Sequence, residues 1–145
     1  MTAGVFHRGR SEWTHNLNSS EYGPGGVNAA IKKAVKKMQD LSDLLKSKNV
    51  SLSVGVYPWP EQLKEMHMNS GSENLQSRIW REFCEVNCLS YVDTFPSFAK
   101  QLSLSDDPMS VYKDYYIEGD VHFNEKGNRL IFQNLQAIFH QKPLK

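Results

Sequence analysis

A chain of 145 residues has the length of one ordinary domain, and its apolar share of 39% and charged share of 23% are typical of a globular rather than a disordered protein. A formal net charge of +1 argues against a nucleic-acid-binding protein that works by neutralising phosphates. No apolar run reaches the roughly 18–20 residues needed to span a bilayer, and residues 1–10 lack the features of a signal peptide. The sequence as written therefore predicts a cytoplasmic protein, or a cell-envelope or secreted one if a signal peptide lies upstream of Met1.

The first part of the chain predicts an irregular segment, then a helix and a strand. Residues 1–26 are polar and end in the breaker Gly-Pro-Gly-Gly, so the folded domain is expected over 27–145. A helix from Val27 to about Lys48 is predicted by apolar residues at spacings of four and three: Val27, Ile31, Ala34, Met38, Leu41 and Leu45. Its outer face holds Lys32, Lys33, Lys36 and Lys37. Val50–Val56 alternates branched and small residues, as in a strand covered on both faces.

The second part of the chain predicts a helix, a short strand and a final helix. After Pro58 and Pro60 stop the first strand, the expected elements are a loop at 66–72, a helix at 73–87, a strand at 91–93, one or two helical turns at 96–102 and a loop at 103–118. Phe95 and Phe98 are expected to point inward. The last helix begins at Asn124, a favourable N-cap, and is expected to bury Leu130, Ile131, Leu135 and Ile138.

This order of elements predicts an α/β domain with parallel strands and right-handed crossovers. Strands 50–56 and 91–93 should be adjacent and parallel, with helix 73–87 crossing over between them. Because two strands do not make a sheet that can be covered on both faces, the sequence is interpreted as the C-terminal portion of a three-layer fold whose N-terminal strands are missing. The open edge of strand 50–56 would then allow self-association by pairing with another chain.

Asp120 and His122 are the candidate catalytic residues. In an extended segment, residues i and i+2 point to the same side, so Asp120 can hold the Nδ1–H of His122 and leave Nε2 free to take a proton from a hydroxyl. Asn124 can cap the next helix, and a side chain at Gly127 would crowd a neighbouring loop. We predict that His122 lies within hydrogen-bond reach of Asp120, at the C-terminal edge of the sheet and close to Tyr57-Pro58-Trp59.

The segment Gly119-Asp120-Val121-His122-Phe123-Asn124 resembles the last motif block of the SGNH (GDSL-like) hydrolase superfamily, in which a loop before the C-terminal helix supplies both Asp and His. The resemblance covers residues 27–140, with strands 50–56 and 91–93 similar to the fourth and fifth strands of that flavodoxin-like fold. The usual spacing is Asp-x-x-His, whereas this chain has Asp-x-His, as in the related alginate O-acetyltransferase-like proteins. The family's Gly-Asp-Ser, oxyanion-glycine and Gly-x-Asn blocks have no match in residues 1–26, so no nucleophilic serine is recognisable.

The resemblance implies a serine esterase, or an O-acyl (O-acetyl) hydrolase or transferase, in which His122 acts as general base and then general acid while Asp120 orients it. The substrate would be a small acyl ester or an acylated carbohydrate. Tyr57, Trp59 and Asn124 are the expected substrate-binding residues, and no metal or cofactor is expected. The alternative is a non-catalytic α/β fragment with a structural or binding role, which the missing serine favours. This chain alone is expected to be inactive.

Cys84 and Cys88 admit three interpretations. Two buried free thiols are the favoured one. A disulfide is possible if the helix frays at Cys88, since an i,i+4 spacing falls within the permitted Cα separation, and it would suit an exported protein. A zinc site would need a second pair of ligands, which the chain does not offer.

The sequence context of several other residues indicates whether they have a structural or a functional role. Trp59 is expected either to line a substrate cleft or to pack against the sheet edge. Packing under the catalytic loop, rather than sugar binding, is expected for Tyr112, Tyr115 and Tyr116. Ser70 and Ser72 follow no strand, which argues against either as the nucleophile. A metal shared by the acid–base pair and His67 is disfavoured, because no second histidine is spaced to join the pair.

Overall fold

The structure is a computed structural model that describes residues 11–68 and 73–139. Its helices and strands, in chain order, are α1 (Gly26–Ser47), β1 (Ser53–Val56), α2 (Pro60–Met68), α3 (Leu75–Asn87), β2 (Ser90–Asp93), α4 (Phe95–Ser103), α5 (Pro108–Tyr115) and α6 (Glu125–Phe139). Two short 3-10 turns precede them, at Glu12–Thr14 and Ser20–Tyr22. Within the described ranges, no helix has the length and apolar character needed to cross a membrane.

The sheet of the described chain contains β1 and β2, which pair in parallel with Ser53 opposite Ser90 and Val56 opposite Asp93. The connection between the two strands contains α2 and α3, and α3 packs against both strands. The α/β class, the parallel pairing and the intervening helix are therefore confirmed. The hydroxyl of Ser90 also donates to that of Ser53 at 2.8 Å, next to the backbone ladder.

The C-terminal end of α1 explains why the first strand begins later than predicted. Asn49 adopts a left-handed φ of 56°, and the N–H of Val50 donates to the carbonyl of Leu45 at 2.9 Å, so Val50 terminates the helix instead of starting the strand. The strand consequently begins at Ser53. The apolar stripe of α1 is buried most completely at Val27, whereas Leu41 is exposed. The four lysines are exposed, as predicted.

Two segments that were predicted as loops are helices, so those predictions are wrong. Pro60 opens α2, which takes up part of the predicted loop at 66–72; residues 69–72 lie outside the described ranges. Pro108 opens α5 inside the predicted loop at 103–118, and the side chain of Asp107 caps it by accepting from the N–H of Met109 at 2.9 Å. Proline fits the first turn of a helix because that turn has no use for its missing N–H.

The segment 11–25 contains the two 3-10 turns and is packed against the rest of the domain. Ser11 and Thr14 are buried, and the hydroxyl of Thr14 donates to the carbonyl of Ser11 at 2.7 Å. The hydroxyl of Ser11 also donates to the carboxylate of Glu61 in α2. These bonds connect the segment to the helical layer. Residues 1–10 lie outside the described ranges.

The main hydrophobic cluster lies between α2, α4, α5 and α6. Its buried members are Leu63, Phe98, Leu102, Val111, Tyr112, Tyr115 and Tyr116, with Phe123, Leu130 and Ile131 packed against them. The three tyrosines therefore pack into the core, as predicted. Burial raises the pKa of Tyr112 to about 12 and also raises that of Tyr116, so both phenols stay neutral. Leu135 is half-buried, and the side chain of Ile138 lies outside the described part.

Cys84 and Cys88 form a disulfide with Cα atoms 4.5 Å apart, so the favoured prediction of free thiols is wrong. The helix α3 ends at Asn87, and Cys88 has an extended backbone while its N–H still donates to the carbonyl of Cys84 at 3.2 Å. This is the fraying at Cys88 that the disulfide requires. The bond consequently lies where α3 gives way to the segment leading into β2.

Candidate active site

The side chains of Asp120 and His122 form the predicted hydrogen bond. The Nδ1 atom of His122 lies 2.8 Å from Oδ1 of Asp120. The same oxygen accepts the N–H of Val121 at 2.6 Å and that of His122 at 3.4 Å. The hydrogen bond from His122, followed by the N–H of Val121, lowers the pKa of Asp120 below its ordinary value of 3.8. Asp120 therefore stays a carboxylate at neutral pH and loses this role only as the pH falls through that lowered pKa.

The backbone that brings the pair together is a turn, and the prediction of an extended segment is wrong. Tyr116 and Phe123 pair as an antiparallel bridge, and the chain reverses between them. Inside this reversal the N–H of Ile117 donates to the carbonyl of His122 at 2.9 Å, and the N–H of Asp120 donates to that of Ile117 at 3.0 Å. Gly119 supplies a left-handed φ of 75°. Asp120 and His122 thus face each other because the turn folds them together.

Asn124 fixes the reversed loop to its neighbours. Its Oδ1 accepts the N–H of Gly127 at 3.0 Å, which caps α6 as predicted. Its Nδ2 donates to the carbonyls of Asp114 at 2.9 Å and Tyr116 at 3.2 Å. Both ends of the amide are engaged with backbone, so the structure gives Asn124 a positioning role. Its assignment to substrate binding stays a prediction.

The segment 57–59 lies against the loop that carries the pair. The rings of Tyr57 and Phe123 meet edge to face with centroids 5.5 Å apart, and the hydroxyl of Tyr116 donates to the carbonyl of Pro58 at 2.9 Å. Tyr57 is exposed, whereas Trp59 is half-buried and its backbone N–H donates to Oε1 of Gln62 at 2.8 Å. The end of β1 and the acid–base pair therefore belong to one surface of the molecule, on which the ring of Tyr57 is exposed.

The pair is open to solvent. The side chain of His122 is 76% exposed and that of Asp120 is 42% exposed. Within residues 11–68 and 73–139, no serine, threonine or tyrosine hydroxyl hydrogen-bonds to His122; Ser70 and Ser72 lie outside those ranges. The same ranges contain no group of three His, Cys, Asp or Glu side chains that could hold a metal ion. In the described part of the chain, the geometry therefore offers an oriented imidazole to which no hydroxyl nucleophile is hydrogen-bonded.

No family model, curated protein or solved structure matches this chain. The geometry of the described residues is therefore the basis for assigning a function.

Two polar residues that the sequence analysis did not single out also share a site. Asp93 ends β2, and Ser77 in α3 has a buried hydroxyl without a hydrogen-bond partner. The position of Asp93 as the last residue of a predicted strand was a usable signal, because ligands of α/β proteins bind beyond the carboxyl ends of strands. The sequence around Ser77 contained no such signal, because a serine in an amphipathic helix indicates a binding site only when its neighbours in the fold are known.

We expect Gly127→Ala to lower the free energy of unfolding by about 1–3 kcal/mol. A Cβ atom at Gly127 would lie 2.2 Å from the carbonyl oxygen of Tyr115 and 2.8 Å from the ring of Phe123. That carbonyl accepts the N–H of Asn124, so it cannot move away without disturbing the loop of the pair. Helix propensity alone predicts the opposite sign, a gain of about 1 kcal/mol.

Urea unfolding of the two proteins measures this difference. Gly55→Ala is the matched control, because a Cβ there would have its nearest neighbour, Cβ of Val92, at 4.0 Å. A Gly127→Ala protein as stable as the wild type would contradict the close approach of α6 to the loop.

Proposed function

We propose that Asp120 and His122 are the acid–base pair of a serine-type ester hydrolase or O-acyltransferase of the SGNH kind. The observation that supports this most is the 2.8 Å contact between Nδ1 of His122 and Oδ1 of Asp120, made in a loop directly before the last described helix. The proposed substrates are small acyl esters or acylated carbohydrates. The wider proposal is that β1, β2 and their helices belong to a flavodoxin-like, three-layer SGNH fold.

The proposed chemistry follows from the orientation of the imidazole. With its Nδ1–H donated to Asp120, His122 presents a basic Nε2 to solvent. In the proposed reaction Nε2 takes the proton of a hydroxyl group while the hydroxyl oxygen attacks the carbonyl carbon of the ester. The π electrons of the C=O bond then move onto the carbonyl oxygen. The tetrahedral intermediate then collapses, and the imidazolium returns the proton to the departing alkoxide. Water or a carbohydrate hydroxyl finally accepts the acyl group.

The second candidate is the non-catalytic α/β domain, and one observation favours it. His122 is largely exposed and bonds to no described hydroxyl, whereas a working triad holds its nucleophile and excludes water. In this case the pair would serve to stabilise the turn. β1 pairs only with β2 among the described strands, which supports a proposal of self-association through its other edge.

Hydrolysis of p-nitrophenyl acetate distinguishes the two candidates. Under the catalytic proposal, His122→Ala removes the nitrophenol release that exceeds the buffer rate. Asp120→Asn should lower this release by about 2- to 10-fold, the effect of one hydrogen bond on the orientation of the ring. His67→Ala is the matched control, because His67 is an exposed histidine at the end of α2.

Equal rates for the wild type, His122→Ala and Asp120→Asn would favour the non-catalytic domain. If His67→Ala lowered nitrophenol release as much as His122→Ala, any exposed imidazole would be sufficient for this hydrolysis. That result would contradict a catalytic role for the pair of Asp120 and His122.

A further inference from the structure

A cavity of about 610 Å³ lies at the carboxyl end of β2, between the start of α3 and α4. Its polar lining comes from Glu73, Asn74, Ser77, Asp93, Lys100 and Ser103, and its apolar lining from Met66, Phe95, Pro96 and Ala99. The volume falls within the range of about 300–1,000 Å³ that is usual for small-molecule sites. Neither Asp120 nor His122 lines it, so what it binds is independent of the function proposed above.

The hydroxyl of Ser77 is the unusual group in this cavity. Ser77 is 1% exposed, and its Oγ is the buried side-chain oxygen or nitrogen that has no hydrogen-bond partner in the described chain. Buried hydroxyls are normally hydrogen-bonded, because a buried hydroxyl without a partner loses its hydrogen bonds to water and gains none from the protein. The carbonyl of Ser77 accepts the hydroxyl of Tyr91 at 2.8 Å. The group without a partner is the side-chain hydroxyl.

Asp93 is the neighbour of this hydroxyl. Its Oδ1 accepts the N–H of Phe95 at 2.9 Å, and the residue is half-buried at the end of β2. Burial raises the pKa of Asp93, while the N–H of Phe95 and the nearby hydroxyl of Ser77 oppose that rise. The hydroxyl is thus close enough to influence the carboxylate, yet it makes no hydrogen bond of normal geometry with it. An acceptor-rich carboxylate and an unpaired hydroxyl therefore face the same space.

The chemistry of these two groups selects the ligand. A ligand ammonium can donate to Asp93 and to the Ser77 oxygen but has no acceptor for the Ser77 proton, and a ligand carboxylate can accept that proton but is repelled by Asp93. A neutral hydroxyl does both. We propose that this cavity binds a neutral polyhydroxyl compound of monosaccharide size, one hydroxyl of which donates to Asp93 and accepts from Ser77. Lys100 and Asn74 supply donors for its other hydroxyls, and Ala99 and Pro96 contact its carbon skeleton.

Titration of the ¹⁵N-labelled full chain with three matched sugars tests the proposal by NMR. D-glucose is neutral, D-glucosamine carries an ammonium and D-glucuronate carries a carboxylate. Glucose is expected to shift the amide resonances of Ser77, Asp93 and Phe95, and to bind more tightly than either charged analogue. Ser77→Ala and Asp93→Asn should each weaken glucose binding by roughly tenfold. Ser47→Ala and Asp106→Asn, which lie outside the lining, should leave binding unchanged.

The Ser77→Ala variant separates binding from folding. Because it removes a hydroxyl that has no partner, it should be at least as stable as the wild type in thermal unfolding, so that a loss of binding reports on the site. The proposal is overturned if no cavity resonance moves at roughly 0.1 M glucose, far above a dissociation constant of ~1 mM. Tighter binding of either charged sugar, or unchanged binding in both cavity variants, would overturn it equally.

Discussion

Phe98→Ala should lower the free energy of unfolding by about 3–5 kcal/mol, the largest effect on stability that we expect from a single substitution in the described chain. Phe98 is 0% exposed. Its ring stacks on Phe123 with centroids 5.1 Å apart and meets the rings of Tyr115 and Tyr116 at 5.7 and 6.0 Å. Removal of the ring leaves a cavity among side chains that are held by α5, α6 and the loop of the pair, so the site cannot collapse to fill it.

Urea unfolding at neutral pH measures the change, and Leu104→Ala is the control. Leu104 directly follows α4 and is 72% exposed, so it should cost less than about 1 kcal/mol. Because Phe123 is adjacent to His122, we also expect the amide resonances of 120–123 to broaden or shift in Phe98→Ala. A cost similar to that of Leu104→Ala would show that the aromatic cluster is not the centre of the core.

The chain assayed by itself should show no serine-dependent esterase activity. Among the described residues no hydroxyl hydrogen-bonds to His122, and the sequence blocks that would supply a nucleophile and oxyanion donors in the SGNH pattern have no match in residues 1–26. Loss of the nucleophile of a triad enzyme costs on the order of 10⁶-fold in turnover, and loss of an oxyanion donor costs a further ~10²–10³. What remains is an imidazole oriented by a carboxylate, and its rate on p-nitrophenyl acetate should be only slightly above that of free imidazole, the small excess that the His122→Ala comparison measures.

A fluorophosphonate probe followed by intact-mass spectrometry tests this expectation. The expected result is an unlabelled protein, in the wild type and in His122→Ala alike. Stoichiometric labelling of one serine, together with turnover that is lost in His122→Ala, would contradict it. Ser70 and Ser72 would then be the first residues to substitute, each with alanine.

The long amphipathic helices and the order of strands were predictable from the sequence because their patterns span many residues. The periodicity of α1, α3 and α6 determined their positions to within a few residues, and the parallel pairing followed from the helix between the strands. The short helices α2 and α5 were missed for one reason. Pro60 and Pro108 were interpreted as breaks, although each occupies the first turn of a helix.

The candidate site was predictable only where its partners are close in sequence. Asp120 and His122 are two positions apart, so their pairing was foreseeable, whereas the turn that achieves it depends on the left-handed Gly119 and on the bridge from Tyr116. Ser77 and Asp93 come together only through the packing of α3 on β2. A single sequence does not specify that contact, because the side chain that faces a cavity depends on helix rotation as well as on periodicity.

The disulfide between Cys84 and Cys88 has a consequence for strand register. A helix can gain or lose a residue at its end at little cost, but a strand that slips by one residue exchanges its buried and exposed faces. In β2 such a slip would turn Val92 away from the core, while Leu89 would lose its hydrogen bond to the carbonyl of Leu52. By closing covalently over the last turn of α3, the disulfide prevents the helix from advancing through Cys88. The number of residues between the end of α3 and the start of β2 is then constant. This keeps the strands in the register that places Ser53 opposite Ser90.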